Sequence, residues 1–184
     1  AASDVYKRQG QPNRSVMALA EVRLLALLMV AMGMIVGTID ITSVAFAELL
    51  GQPLAASIVL SAYALGSCAA GLAFGALKFD APLHRLLLWG GAATALTTLP
   101  LLLVASLPAL AASVLLAGMF FAPTMIVVMS LVERAVPDQQ LTEGMTWLLA
   151  GLNIGVALGA AATGQLVDLA LSLIHISEPT RRYA

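Results

Sequence analysis

The sequence predicts an all-α membrane protein with five transmembrane helices, and three observations lead to this fold class. Hydrophobic residues form 60% of the chain and charged residues only 10%, whereas a soluble globular domain has about 25% charged residues. Five apolar runs are each long enough to cross a bilayer. Short connections separate these runs. A single water-soluble core could not bury this much apolar surface, so we expect the lipid bilayer to cover it.

The first apolar run, residues 24–47, contains one carboxylate, Asp40. About 24 helical residues span about 36 Å, slightly more than a hydrocarbon core of about 30 Å. A charge inside such a segment costs about 2.5–3.5 kcal/mol, and acidic residues held there mark ion or substrate pathways. We therefore predict that Asp40 couples transport to protons or binds substrate. The alternative is a buried carboxylate that only links helices.

The helical face that carries Asp40 is mostly small or polar, which is typical of a face that lines an interior. Its other members are Gly33, Val36, Gly37, Ser43, Val44 and Ala47. Bulkier side chains such as Leu28 and Phe46 lie off this face. Ser43 is accordingly a candidate lining residue of a polar cavity.

Four further apolar runs follow the first. They cover residues 54–77, 86–107, 109–132 and 145–167. The turn signal Gly51-Gln52-Pro53 precedes the second run, and the third and fourth runs contain Pro100 and Pro123. Because neighbouring helices can satisfy the carbonyls that a proline leaves free, these two prolines predict kinks within membrane helices rather than helix ends.

Both ends of the chain lie outside the membrane pattern. Residues 1–15 are polar and lack periodicity, and residues 171–184 end in a charged stretch. The sequences DVYKRQ and SLIHISEPTRRYA at these ends resemble translated sequencing-adaptor read-through. We therefore interpret both ends as non-native-looking tails and assign residues 16–170 to one transmembrane bundle. The alternative is a genuine polar tail at each end.

Basic residues occur in alternate connections and predict the orientation of the chain. Lys78 and Arg85 lie between the second and third runs, and Arg134 lies between the fourth and fifth. The connections at 48–53 and 105–109 contain neither Lys nor Arg. By the positive-inside rule the basic connections are cytoplasmic, so we expect the first helix to start in the cytoplasm.

Glycines at helical spacing predict where the helices approach each other closely. They are Gly66, Gly71 and Gly75 in the second run, and Gly151, Gly155 and Gly159 in the fifth. Small residues four positions apart allow two helix backbones to come into contact within a membrane. We interpret these six glycines as helix-packing residues.

Four polar residues inside the apolar runs are candidate cavity-lining residues. Asn153 lies in the middle of the fifth run on a face with Thr146, about 200° around the helix from Gly151. An amide there needs a partner, which either a neighbouring helix or a substrate would supply. Tyr63 and Ser67, one helical turn apart in the second run, present the same two alternatives.

Sites for metals, cofactors or nucleic acid are not indicated by the sequence. The single cysteine, Cys68, lies in an apolar run, and the two histidines, His84 and His175, are far apart. This leaves neither a CxxC pair nor a histidine cluster. Basic residues are scattered, with few aromatic residues among them. We therefore predict no metal, no cofactor and no nucleic-acid partner.

Several stretches resemble transmembrane helices seven to eleven of a bacterial, efflux-type permease of the major facilitator superfamily (MFS). GMIVGTIDITSVAFAE resembles the seventh helix, and SAYALGSCAAGLAFGA resembles the eighth. MFFAPTMIVVMSLVERAVPDQQLTEGMTWLLAGLNIGVALGAAATGQLVD resembles the tenth helix, the following loop and the eleventh helix. The resemblance covers roughly residues 16–170. It implies a C-terminal six-helix bundle from which the twelfth helix is missing.

This resemblance implies a fragment of a secondary active transporter in the bacterial cytoplasmic membrane. The acid in the first run favours proton-coupled efflux, and the implied substrates are small organic molecules such as drugs or sugars. The implied partner is the missing N-terminal six-helix half of the same polypeptide. We expect no enzymatic activity, because the five runs offer one acid and no nucleophile–base pair. A membrane-embedded enzyme and a non-transporting helical scaffold are the alternatives.

Overall fold

The computed structural model describes residues 15–77, 81–104 and 106–177 as a helical chain. Its five α-helices are α1 (Ala20–Leu49), α2 (Leu54–Ala76), α3 (Leu83–Thr98), α4 (Leu107–Ala135) and α5 (Leu141–Ser177). Short 3-10 helices cover Val16–Ala18, Leu99–Leu103 and Asp138–Gln140. The described ranges contain no strand. The predicted all-α fold is confirmed.

Four helical segments in the described part of the chain are long and apolar enough to cross a membrane. They are Ala20–Leu49, Leu54–Ala76, Leu107–Ala135 and Asp138–Leu169. Each spans at least the roughly 30 Å of hydrocarbon at about 1.5 Å per residue. The chain is therefore an integral, multi-pass membrane protein.

The third helical region differs from a single kinked helix over residues 86–107. α3 is 16 residues long and ends at Thr98, because Pro100 lacks the amide hydrogen that the next helical bond needs. A 3-10 helix, Leu99–Leu103, continues the chain. The two segments together rise about 34 Å, which is still enough to cross the hydrocarbon core. By contrast, α4 continues through Pro123.

α1 and α5 extend beyond the apolar runs that predicted them. α1 has 30 residues and α5 has 37. Hydropathy marks only the part of a helix that suits hydrocarbon, whereas backbone hydrogen bonding continues into the polar ends. α5 reaches Ser177 and thus enters the segment interpreted as a C-terminal tail.

The helices pack as two pairs. α1 packs along α5, and α2 packs along α4. α3 joins the second pair through its contact with α4. Smaller contacts of α1 with α2 and α4 connect the two pairs. The third transmembrane region is therefore peripheral, and the other four helices form the body of the bundle.

Two buried apolar clusters fill the space between these helices. Met29 of α1, Val128 of α4 and Leu148 of α5 lie in the cluster near the start of α1. Ile39 of α1 and Val59 of α2 lie in the second cluster, together with Val114 of α4. Each cluster includes side chains from both helix pairs, so the clusters join the pairs into one bundle.

The glycines of α5 lie directly against the backbone of α1. A Cβ atom at Gly155 or Gly159 would overlap the carbonyl oxygen of Val30 or Met34, respectively. A Cβ atom at Gly151 would lie 2.8 Å from the carbonyl oxygen of Ala26. At these three positions only hydrogen fits, so the α1–α5 contact depends on the glycines.

The three glycines of α2 occupy different environments. A Cβ atom at Gly66 would overlap the carbonyl oxygen of Leu115 in α4. At Gly71 it would lie 3.0 Å from the Cβ atom of Ala122. At Gly75, no atom of the described chain lies within 4 Å of that position. Gly66 and Gly71 thus lie at the α2–α4 contact, and Gly75 lies at an open position.

Candidate functional site

Asp40 lies past the middle of α1, on a partly exposed part of the helix surface. Within the described ranges its carboxylate has no hydrogen-bond donor and no ion-pair partner. Ile39, the residue before Asp40, lies in the buried apolar cluster against which Tyr63 of α2 packs. The structure therefore brings together two of the residues that the sequence singles out, across the contact between the two helix pairs.

Tyr63 is held in place by α4. Its ring lies 6.0 Å from the ring of Phe121, measured between centroids, with the planes tilted by 53°. Such a tilted arrangement is favourable for aromatic pairs. Its backbone carbonyl oxygen lies against Gly118, where a side chain would not fit. The position of the phenol is thus fixed by the close approach of α2 and α4.

An open groove of about 530 Å³ begins at Tyr63. It runs along α2 past Ser67 and Cys68, and Phe121 of α4 forms its other side. The groove places Ser67 on the same surface as Tyr63, as expected from their spacing of one helical turn. Asp40, Tyr63 and Ser67 form what we call the α1–α2 polar site.

Ser43 lies away from this groove. Its side chain is fully buried, and its hydroxyl oxygen has no hydrogen-bond partner among the residues described. The sequence predicted that Ser43 lines a polar cavity, and a side chain that lines a cavity would be exposed to the open space. The helical period places Ser43 and Asp40 on the same face of α1, but this face is broad. Ser43 lies at an edge of the face that neighbouring side chains bury.

Asn153 and Thr146 are exposed on α5 and bond to their own helix. The Nδ2 atom of Asn153 donates to the carbonyl oxygen of Leu149 at 2.8 Å. The hydroxyl of Thr146 donates to the carbonyl oxygen of Thr142, also at 2.8 Å. Because Gly151 faces α1, Asn153 points away from it. The described contacts do not bring Asn153 to the α1–α2 polar site.

A hydrogen bond between α1 and α5 was not expected from the sequence. The hydroxyl of Thr163 donates to the hydroxyl oxygen of Thr38 at 3.2 Å. Each threonine is adjacent to a glycine in the sequence. Gly37 precedes Thr38, and Gly164 follows Thr163. Polar residues beside glycines in two membrane helices are the signal that would have indicated this pair.

Glu143, near the start of α5, holds the segment that precedes α1. Its Oε1 atom accepts hydrogen bonds from the Ser15 hydroxyl at 2.8 Å and from the Val16 amide at 3.2 Å. Val16 is buried against Val132 of α4 and its neighbours. Arg23 donates to the carbonyl oxygen of Met17 at 3.3 Å. These bonds fix the beginning of α1 to the beginning of α5.

The site offers one titratable carboxylate, one phenol and one hydroxyl, beside an open groove. This set can exchange a proton with a ligand or with solvent, and it can donate hydrogen bonds to a polar substrate. Within residues 15–77, 81–104 and 106–177, no three His, Cys, Asp or Glu residues lie close enough to hold a metal ion.

Comparison with known proteins identifies one family. A family model described as Major Facilitator Superfamily matches residues 24–172. This match includes the α1–α2 polar site and spans all five helices from within α1 to within α5. Neither the comparison with curated proteins nor the comparison with solved structures gives a match.

Proposed function

Because the chain belongs to the major facilitator superfamily, whose members are transporters, we propose that it forms the C-terminal half of a proton-coupled efflux permease. In this proposal α1 to α5 correspond to helices seven to eleven of twelve. The substrate is a small organic molecule such as a drug or a sugar. Transport is driven by proton entry.

The observation that carries this proposal is the state of Asp40. It lies in a membrane-length helix, is partly exposed, and has no ion-pair partner among the residues described. A structural carboxylate in a membrane would be expected to have a bonded partner on a neighbouring helix. Protonation neutralises Asp40 and removes the cost of holding its charge in this environment, so the proton can change which conformation is favoured.

The arrangement of the helices supports a site that is shared with a second half of the protein. Secondary transporters of this kind bind substrate near the middle of the membrane, between two helical repeats. α1, α2, α4 and α5 form the body of the bundle, and α3 is peripheral. In the complete permease the N-terminal six helices would face the α1–α2 polar site, and a twelfth helix would follow α5.

The proposed location is the cytoplasmic membrane of a bacterium, with the start of α1 on the cytoplasmic side. This orientation follows from the basic connections after α2 and α4. Asp40, past the middle of α1, then lies nearer the external face. It can accept a proton while the cavity is open outward and release it after the cavity opens inward.

Transport by the full-length polypeptide in sealed vesicles tests this proposal, with Asp40→Asn as the variant. Asn keeps the size of the side chain but cannot titrate. We expect the variant to insert and bind substrate while losing accumulation against a gradient and the accompanying proton flux. Glu48→Gln is the matched control, because Glu48 is an exposed acid in the last turn of the same helix.

Retention of gradient-driven transport by Asp40→Asn would show that the acid is structural. The same assay separates the alternatives, because a membrane-embedded enzyme would form a product and a scaffold would show neither product nor flux. The scaffold alternative predicts that Asp40→Asn and Glu48→Gln behave alike.

A further inference from the structure

An apolar slot lies between α2, α3 and α4, apart from the α1–α2 polar site. Its volume is about 520 Å³. Phe74, Trp89, Ala93 and Pro123 are among the side chains that line it. The one hydroxyl in its wall belongs to Thr124, which already donates to the carbonyl oxygen of Phe120 at 2.7 Å. The slot therefore suits a hydrocarbon group.

A second cavity, of about 430 Å³, continues the slot toward the end of α4. Four wall residues, Phe74, Leu77, Leu86 and Val127, are common to the two cavities. The second cavity also has polar side chains in its wall, those of Ser130 and Arg134. The combined space is thus apolar along the helices and cationic at its mouth.

Arg134 is available to a ligand at this mouth. It is exposed, and within the described ranges its guanidinium has no ion-pair partner. A guanidinium group binds phosphate oxygens with two parallel hydrogen bonds, and the Ser130 hydroxyl can donate a further one. Basic pockets between membrane helices recognise anionic lipid headgroups in this way.

We propose that the slot and its mouth bind one anionic phospholipid. Its acyl chain occupies the space between α2, α3 and α4, and its phosphate contacts Arg134 and Ser130. A soluble anion would satisfy the mouth but not the apolar slot, whereas a neutral hydrocarbon would satisfy the slot but not Arg134. Only a ligand with both parts matches the whole cavity.

Trp89 provides a direct reporter of this lipid because it lines the slot. The chain has two tryptophans, so Trp147→Phe leaves Trp89 as its single tryptophan. The Trp147→Phe chain would be reconstituted in liposomes that contain phosphatidylglycerol and phosphatidylcholine, with bromine on the acyl chains of one lipid at a time. Quenching of Trp89 then gives the relative binding of the two lipids beside the slot.

We expect phosphatidylglycerol to be preferred about fivefold, since one basic side chain near the membrane surface attracts an anionic lipid to about this extent. Arg134→Gln should bring the preference close to one, and Arg134→Lys, which keeps the charge, should retain it. Arg85→Gln is the matched control: Arg85 is exposed near the start of α3, beside wall residue Leu86, but does not line either cavity.

Equal quenching by the two lipids in the Trp147→Phe chain would overturn the proposal and assign the slot to bulk lipid. An equal loss of preference in Arg85→Gln and Arg134→Gln would also overturn it, because the preference would then reflect surface charge in general. Excess inorganic phosphate in the buffer should leave the preference unchanged. If excess phosphate abolished the preference for phosphatidylglycerol, the mouth alone would be an anion site and the proposal of a bound phospholipid would be overturned.

Discussion

Ser43 buries a hydroxyl group that has no hydrogen-bond partner in the part of the chain that the structure describes. A buried, unsatisfied polar group costs about 1–3 kcal/mol. In a membrane helix a hydroxyl usually donates to the carbonyl four residues earlier, as Thr94 does to Gly90 at 2.8 Å. Ser43 therefore lowers the stability of the helical bundle.

Replacing Ser43 with alanine should raise the free energy of unfolding by about 1 kcal/mol, because the unsatisfied group is removed and no bond is lost. Reversible denaturation in detergent micelles measures this difference. Thr124→Val is the matched control, since it removes a hydroxyl that does donate a hydrogen bond. A decrease in stability for Ser43→Ala would mean that the hydroxyl has a partner after all.

Replacing glycine with alanine should change the stability of the bundle in opposite directions at two positions. At Gly155 an added methyl group would overlap the carbonyl oxygen of Val30, so Gly155→Ala should destabilise the protein by about 1–3 kcal/mol. At Gly75 no described atom lies within 4 Å, so Gly75→Ala should stabilise α2 by about 0.5–1 kcal/mol through its helix propensity. Unfolding of both variants in the same detergent tests this contrast, and equal effects would contradict it.

At the scale of elements, the segment before α1 is joined to α5 through Glu143. Bonds from the Ser15 hydroxyl and the Val16 amide end on this one carboxylate. The 3-10 helix Val16–Ala18 has only three residues, which is too short to be stable alone. Its conformation therefore depends on the position of α5.

Glu143→Ala should release this segment, and the amide of Val16 should exchange its hydrogen about tenfold faster, as expected for the loss of a hydrogen bond to a charged group. Hydrogen–deuterium exchange with peptide mapping over residues 15–19 measures the change. Glu133→Ala is the control because Glu133 is an exposed acid in the last turn of α4. If both variants leave the segment protected, the burial of Val16 and the bond from Arg23 to Met17 hold it without Glu143.

Sequence periodicity and length predicted the helical elements well, with one exception that has a physical cause. Hydropathy cannot distinguish an α-helix from the 3-10 helix that follows Thr98, since both are apolar. A proline in a membrane segment can lie within a helix, as Pro123 does, or end it, as Pro100 does. For the candidate site, the sequence indicated Asp40 and Tyr63 separately. Their proximity depends on how α1 crosses α2, for which a single sequence carries no signal. The burial of Ser43 was not predictable, because hydropathy does not show which edge of a helical face a neighbour covers.

At the scale of the whole molecule, the orientation in the membrane remains a prediction, and it is testable on the connections between helices. Single cysteines at Gln52 and Ser106, in a Cys68→Ser background, should react with a membrane-impermeant thiol reagent added outside intact cells. Both residues are exposed between helices. Gln139→Cys, in the connection between α4 and α5, should react only after the cells are opened. The reverse pattern would invert the assigned topology.

The pairing of α1 with α5 also determines the order in which the protein can assemble during synthesis. The glycine-lined face of α1 packs against α5. α5 begins at Leu141, whereas α1 ends at Leu49, so α5 is synthesised much later. At about 5–20 residues per second, a ribosome needs roughly 5–18 s to reach the start of α5 after completing α1. During this time α1 must stay in the membrane with its glycine face uncovered by α5. The insertion machinery or surrounding lipid has to cover that face until the last of the five helices arrives.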